Sequence, residues 1–204
     1  MYFAMNMKWY DPIPWSNLVE KPLILPEAYL GDYDELSFMT GNPIDEWPAD
    51  TRYYTIDPED DGDPDDALQT IDCHNVPVFS SRLRAALMEA SITGIQYLPV
   101  DIIDSRGRRY EGFSIANILN KREALDIDNA EFTRAGPDHY RQDKIGQILS
   151  IERAVLRRAP LQDVDIIRLQ EYEQSIFVSE RFKEIFEKNK YTGHRFREVE
   201  VTDT

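Results

Sequence analysis

Only one stretch of the chain approaches a catalytic motif. Gly112-Phe113-Ser114-Ile115-Ala116 departs from the G-x-S-x-G nucleophile elbow at its last residue, and Asp126 or Asp128 and then His139 follow in hydrolase order. An elbow needs a strand, a sharp turn and a helix, because the strained turn lifts the hydroxyl out for attack. Here the serine lies in an alternating run after the turn signal Asp104-Ser105-Arg106-Gly107, which is the context of a strand middle. The sequence therefore predicts a surface strand serine at position 114 and assigns no catalytic residue.

Metal and cofactor chemistry find no better footing. His74, His139 and His194 are widely separated, and no H-E-x-x-H or C-x-x-C spacing exists to bring ligands onto one face. Cys73 and His74 are adjacent, so on a strand they would point to opposite sides. His194, beside Gly193, reads as a strand-start residue. Asp57, Glu59, Asp61 and Gly62 occupy the first, third, fifth and sixth positions of a calcium loop, but Leu68 stands where the bidentate glutamate belongs. No glycine-rich phosphate cradle is present. The expectation is no metal and no cofactor.

What remains is charge. The segment Asp57-Pro58-Glu59-Asp60-Asp61-Gly62-Asp63-Pro64-Asp65-Asp66 packs seven carboxylates beside two prolines and a glycine, a composition that suits only a solvated loop. The whole chain has 38 acidic against 23 basic side chains, a net charge of -15. Such a surface repels nucleic acid and anionic lipid and steers a basic partner inward. If the loop takes part in that capture, the binding residues are Asp57, Glu59, Asp60, Asp61, Asp63, Asp65 and Asp66.

The elements around these residues set the fold class. A chain of 204 residues can bury roughly 70% of its unfolded surface, enough for one sizeable core. The 42% hydrophobic content and mean hydropathy of -0.53 describe a folded, soluble protein. A single cysteine needs no oxidising compartment, and neither a signal peptide nor a long apolar span is evident, so the expected location is the cytoplasm. Residues 1–55 are irregular and rich in Pro and Trp, with strand candidates at Tyr2–Tyr10 and Arg52–Ile56.

From Val76 onward the pattern is regular. Ser80 is placed to cap a helix whose apolar stripe is Leu83, Ala86, Leu87 and Ala90, Gly94 marks its exit, and strand-like runs follow at Ile95–Ile103 and Tyr110–Ile115. The C-terminal end repeats the first part of this unit without gaps. Ser80, Arg82, Thr93, Gly94 and Val100 match Ser179, Arg181, Thr192, Gly193 and Val199, a constant offset of 99, and Leu83, Leu87, Ile92 and Tyr97 fall on Phe182, Phe186, Tyr191 and Phe196. Further strands are expected at Ile145–Val155 and Ile166–Leu169, while the charged stretch Lys121–Lys144 shows no clear period. The prediction is one α+β domain over 1–204, with two similar helix–strand units, about 76–101 and 175–201, contributing to one mixed sheet.

The helix starts Val78-Phe79-Ser80-Ser81-Arg82-Leu83-Arg84 and Phe177-Val178-Ser179-Glu180-Arg181-Phe182-Lys183 carry a family resemblance. So do the exits Thr93 to Val100 and Tyr191 to Phe196, together with Glu123-Ala124-Leu125-Asp126. Over about Tyr53 to Val201 the chain resembles the Imm11-type (DUF1629-like) immunity proteins of bacterial polymorphic toxin systems. The resemblance implies a cytoplasmic antitoxin that binds a cognate toxin effector, a basic one by charge, and protects the producing cell and its kin. It brings no catalytic residue with it. The competing expectations are a small serine hydrolase acting through Ser114 and a structural protein of a phage or mobile element.

Overall fold

The structure, a computed structural model, describes residues 1–7, 24–25, 28–29, 38, 40–47, 53–55, 63–70 and 76–203. Its elements in chain order are β1 (Tyr2–Met7), β2 (Ile24–Leu25), β3 (Ala28–Tyr29), β4 (Tyr53–Thr55), β5 (Ala67–Thr70), β6 (Pro77–Phe79), α1 (Ser81–Glu89), β7 (Ile95–Ile103) and β8 (Arg109–Ile118). There follow β9 (Lys121–Arg122), β10 (Glu131–Arg134), β11 (Ile148–Arg153), β12 (Val155–Arg157), β13 (Ile166–Leu169), β14 (Ile176–Ser179), α2 (Glu180–Lys188) and β15 (His194–Thr202). The α+β class is as expected. The stretch 121–144 that lacked a period holds two short strands and a 3-10 turn, and the acidic positions 57 and 59–61 lie outside the described residues.

Both helices form for the predicted reason. The hydroxyls of Ser80 and Ser179 accept the backbone N–H of Leu83 and Phe182, each at 3.2 Å, satisfying a donor that the first turn leaves open. Their exits also match, but not through Gly94. Ser91 and Lys190 adopt the left-handed conformation (φ 57° and 54°), and Ile92 N–H and Tyr191 N–H reach back to the carbonyls of Leu87 and Phe186. This is the Schellman arrangement with its accompanying apolar contact, here an edge-on pair of Phe186 and Tyr191 rings at 5.7 Å.

The expected single mixed sheet is instead two large sheets. Among the described residues the first runs β2-β5-β6-β8-β7-β4-β3 and the second β12-β15-β1-β14-β13-β9, with β10-β11 a separate ribbon. The two large sheets are one design used twice. The starts of β5, β6, α1 and β7 (67, 77, 81, 95) recur 99 residues later as the starts of β13, β14, α2 and β15 (166, 176, 180, 194). Parallel strands β4 and β12 flank β7 and β15 at matching positions, since Tyr53 pairs with Asp101 and Val155 with Glu200. On the opposite edge, Ile24 pairs with Gln69 as Lys121 pairs with Arg168.

The strand between the helix-flanking strands breaks the sequence symmetry without breaking the structure. In the first sheet it is β8, the hairpin partner of β7; in the second it is β1, from the far end of the chain. Register is conserved throughout: Ile115 faces Val78 and Leu98, and Ala4 faces their equivalents Phe177 and Arg197. The second repeat is thus closed by a strand that precedes the first.

Alternation along each strand sorts the core into three layers. Phe79, Ala116, Ile118, Phe3, Met5, Ile166, Ile176 and Val178 face a central cluster with Leu83, Leu87, Phe182 and Phe186 of the helices. The outer face of the first sheet (Val78, Leu98, Val100, Ile115) packs under Phe38, Tyr54 and Trp47, and that of the second (Ala4, Ile167, Phe177, Val199) under Ile148, Leu156 and Leu161. Both stripes predicted for the helices are therefore central. Truncating Phe186 to Ala is expected to cost about 3 to 5 kcal/mol and Leu87 to Ala about 2 to 5, read as lowered denaturation midpoints with unchanged slope. An unchanged midpoint for either would show that side chain to be dispensable to the core.

Candidate functional site

Asp66, the last of the seven carboxylates, is not solvated. It is 8% exposed. Its carboxylate accepts hydrogen bonds from Ser80 Oγ at 2.8 Å and from Arg82 Nε and Nη2 at 3.1 and 2.6 Å, and its carbonyl accepts Ser80 N–H at 2.7 Å. Burial alone would push the carboxyl up; the hydrogen bonds from Arg82 and Ser80 outweigh it and hold the group below the usual carboxylate range. Its charge is committed to the helix cap. The same triangle recurs at Asp165, which accepts Ser179 Oγ at 2.5 Å and Arg181 Nη1 at 2.9 Å, while its carbonyl accepts Ser179 N–H. Neither carboxylate belonged to the sequence-level repeat, although extending the offset of 99 upstream from Ser80 and Ser179 leads straight to both.

Asp66 also holds the seam between the repeats. Thr192 N–H reaches its Oδ2 at 3.3 Å, and Ala67 N–H donates to Thr192 O at 3.0 Å. Gly193 (φ 103°) lies so close that an added Cβ would sit 2.0 Å from Ala67 O, so the position requires glycine. His194 follows, strand-start as predicted, buried with Nδ1 3.0 Å from the same carbonyl, which makes Nδ1 the protonated nitrogen. Burial pulls its pKa down to about 4, so it is neutral near pH 7. Arg82 covers the Tyr191 ring at 4.8 Å, and Arg181 donates to Ala90 O of the other repeat.

The remaining candidates disperse. Ser114 is in mid-strand as expected, but it is buried rather than on the surface, because β8 is interior and α1 covers it. Its Oγ accepts Arg84 Nη1 at 2.8 Å. His139 lies on the surface against Tyr140, and Asp126 is buried and accepts Asn129 Nδ2 and Thr202 Oγ1. No triad is assembled among them. Leu68, at the deciding calcium-loop position, is a buried β5 residue. Among the described residues no group of three His, Cys, Asp or Glu side chains could hold a metal ion. Cys73 and His74 lie outside the described residues. A cavity of about 640 Å³ lies between the β10-β11 ribbon and the turn at 170–174 and is lined by Ile127, Leu149, Lys144 and Glu171 among others.

Of the acidic loop, the described positions divide by role. Asp63 is exposed and pairs with Arg108 at 3.3 Å and Tyr110 Oη at 3.2 Å, Asp65 is half-buried, and Asp66 is structural. The repeat provides an internal comparison. The equivalent stretch, Leu156 to Asp165, has two carboxylates where Asp57 to Asp66 has seven, and both keep the final aspartate. The fold needs that one only. The same contrast extends to the halves: residues 1–118 hold 21 acidic and 8 basic side chains, and residues 119–204 hold 17 and 15, so -13 of the net -15 falls in the first.

The immunity protein family Imm11 is matched by residues 3–201, nearly the whole chain, and the protein belongs to that family. No curated protein matches the chain at a level that would add a relative.

The two titrating groups at the seam act in separate pH windows. His194 has a folded pKa near 4 against about 6.5 unfolded, so its contribution is full above pH 6.5 and is lost as pH falls toward 4, by up to about 3 kcal/mol. Asp66, also depressed, loses its contribution at lower pH, as pH falls from the ordinary carboxylate range through its lower folded value. His194→Gln, which keeps a donor for Ala67 O, should flatten stability between pH 6.5 and 4 in denaturant titrations. A slope unchanged by this substitution would show that His194 is not the acid-sensitive group.

Proposed function

We propose that this protein is an antitoxin that binds a cognate toxin effector stoichiometrically and so protects the producing cell and its kin. The carrying observation is the match to an immunity protein family along residues 3–201. The net charge of -15 supports a basic partner, since opposite charge raises encounter rates while leaving close contacts to set the lifetime of the complex. It argues equally against nucleic acid as the partner. No described helix is long and apolar enough to cross a membrane, and the proposed location is the cytoplasm. The hydrolase reading loses support from the burial of Ser114 and its bond to Arg84. The structural-protein reading has no observation in its favour.

Within this reading the acidic loop captures the toxin through Asp57, Glu59, Asp60, Asp61, Asp63 and Asp65, with Asp66 holding the loop's end to the cap. Six carboxylates beyond the one the fold uses form a concentrated negative field, which is what steering requires. Replacing Asp60, Asp61, Asp63 and Asp65 with Asn removes four charges at constant size. Association with the toxin should slow and lose salt dependence, with a smaller change in dissociation, in stopped-flow measurements at low and physiological salt. Association as fast as wild type at low salt would take the loop out of the interface.

A further inference from the structure

We infer that β1 is a closing strand, the last element to enter the fold, so that the second sheet is completed only after the rest of the chain is in place. β1 and β8 occupy equivalent slots in the same register, with Phe3, Ala4 and Met5 in the places of Ser114, Ile115 and Ala116. Their chain connections could hardly differ more. β8 follows β7 through a turn in which Asp104 Oδ1 accepts the N–H of Arg106 and Arg108 at 3.0 and 2.7 Å, so the pairing of Val100 with Phe113 is local.

The equivalent pairing of Val199 with Tyr2 spans almost the whole chain. By the three-halves power of loop length, that closure from an unfolded chain is about sixtyfold rarer than the hairpin's. The slot itself also forms late. β1 is held on both sides, by β14 and by β15, and β15 is the final described strand, so the two-sided slot is complete only once residues 194–202 are placed. Once β2 has joined the first sheet, only residues 8–23 separate β1 from the folded body, and the entropic cost of its capture falls accordingly.

The strand is built for such an entry. Tyr2-Phe3-Ala4-Met5-Asn6-Met7 carries no charge, and Phe3, Ala4 and Met5 are buried. Tyr2 Oη then donates to Leu161 O and Val164 O at 2.5 and 2.6 Å, fixing the strand to the connection that leads into β13. Low-contact-order pairing precedes high-contact-order pairing when both are otherwise alike, and here the fold offers the two as a matched pair.

Pulse-labelled hydrogen exchange during refolding of the full chain tests the order directly. The amides of Ser114, Ile115 and Ala116 should gain protection first, and those of Phe3, Ala4 and Met5 severalfold more slowly. Equal or earlier protection of the β1 amides would overturn the inference. Phe3→Leu adds an independent reading: it should speed unfolding and leave the refolding rate unchanged. Refolding slowed in proportion to its loss of stability would place β1 in the nucleus and contradict the proposal.

Discussion

The fold depends on a buried carboxylate shared among a helix cap, an arginine and the chain of the other repeat. Asp66 and Asp165 each receive a serine hydroxyl that is itself capping a helix, so carboxylate, hydroxyl and backbone N–H form one chain of hydrogen bonds. Asp66 is buried and Asp165 half-buried, and a carboxylate so placed is costly unless it is paired and hydrogen-bonded; Arg82 and Arg181 supply the pairing from the first helical turn. The arrangement orients strand, helix and strand in one step, which explains why the elements around it recur with identical spacing. At Asp66 it also joins the halves, through Thr192 and the close approach of Gly193 to Ala67.

Much of this was legible because the sequence repeats without gaps. The helices, their serine caps, their buried stripes and the strands at Ile95–Ile103 and Ile166–Leu169 follow from period and capping chemistry alone. The number of sheets did not follow. Alternation tells which face a residue of β1 turns inward, but not that its neighbours are β14 and β15, nearly two hundred residues away. Ser114 was misplaced for a related reason: a turn signal marks a strand, yet both faces of β8 are covered here, so alternation carries no exposed side. Asp66 read as one more loop charge because its partner serine lies fourteen residues on.

Duplication sharpens the functional reading as well. Features present in both copies, such as the capping triangles, the Schellman exits and the Thr-Gly pairs, are demanded by the fold. The features that distinguish the first copy are its dense run of carboxylates and its share of the negative charge. A chain that keeps two backbones in register while loading one of them with charge has separated the demands of the fold from the placement of its charge. The Imm11 family match supplies the biological setting, and the burial of Ser114 removes the one nucleophile that the sequence put forward.

A stoichiometric binder and a catalyst differ in how much protein is needed. Titrating a fixed amount of the cognate toxin with the purified protein, and following residual toxin activity after a fixed incubation, separates them. Stoichiometric binding gives a linear fall that reaches its floor at one equivalent and does not change with longer incubation. Complete neutralisation by a small fraction of an equivalent, deepening with time, would mean turnover and would contradict it.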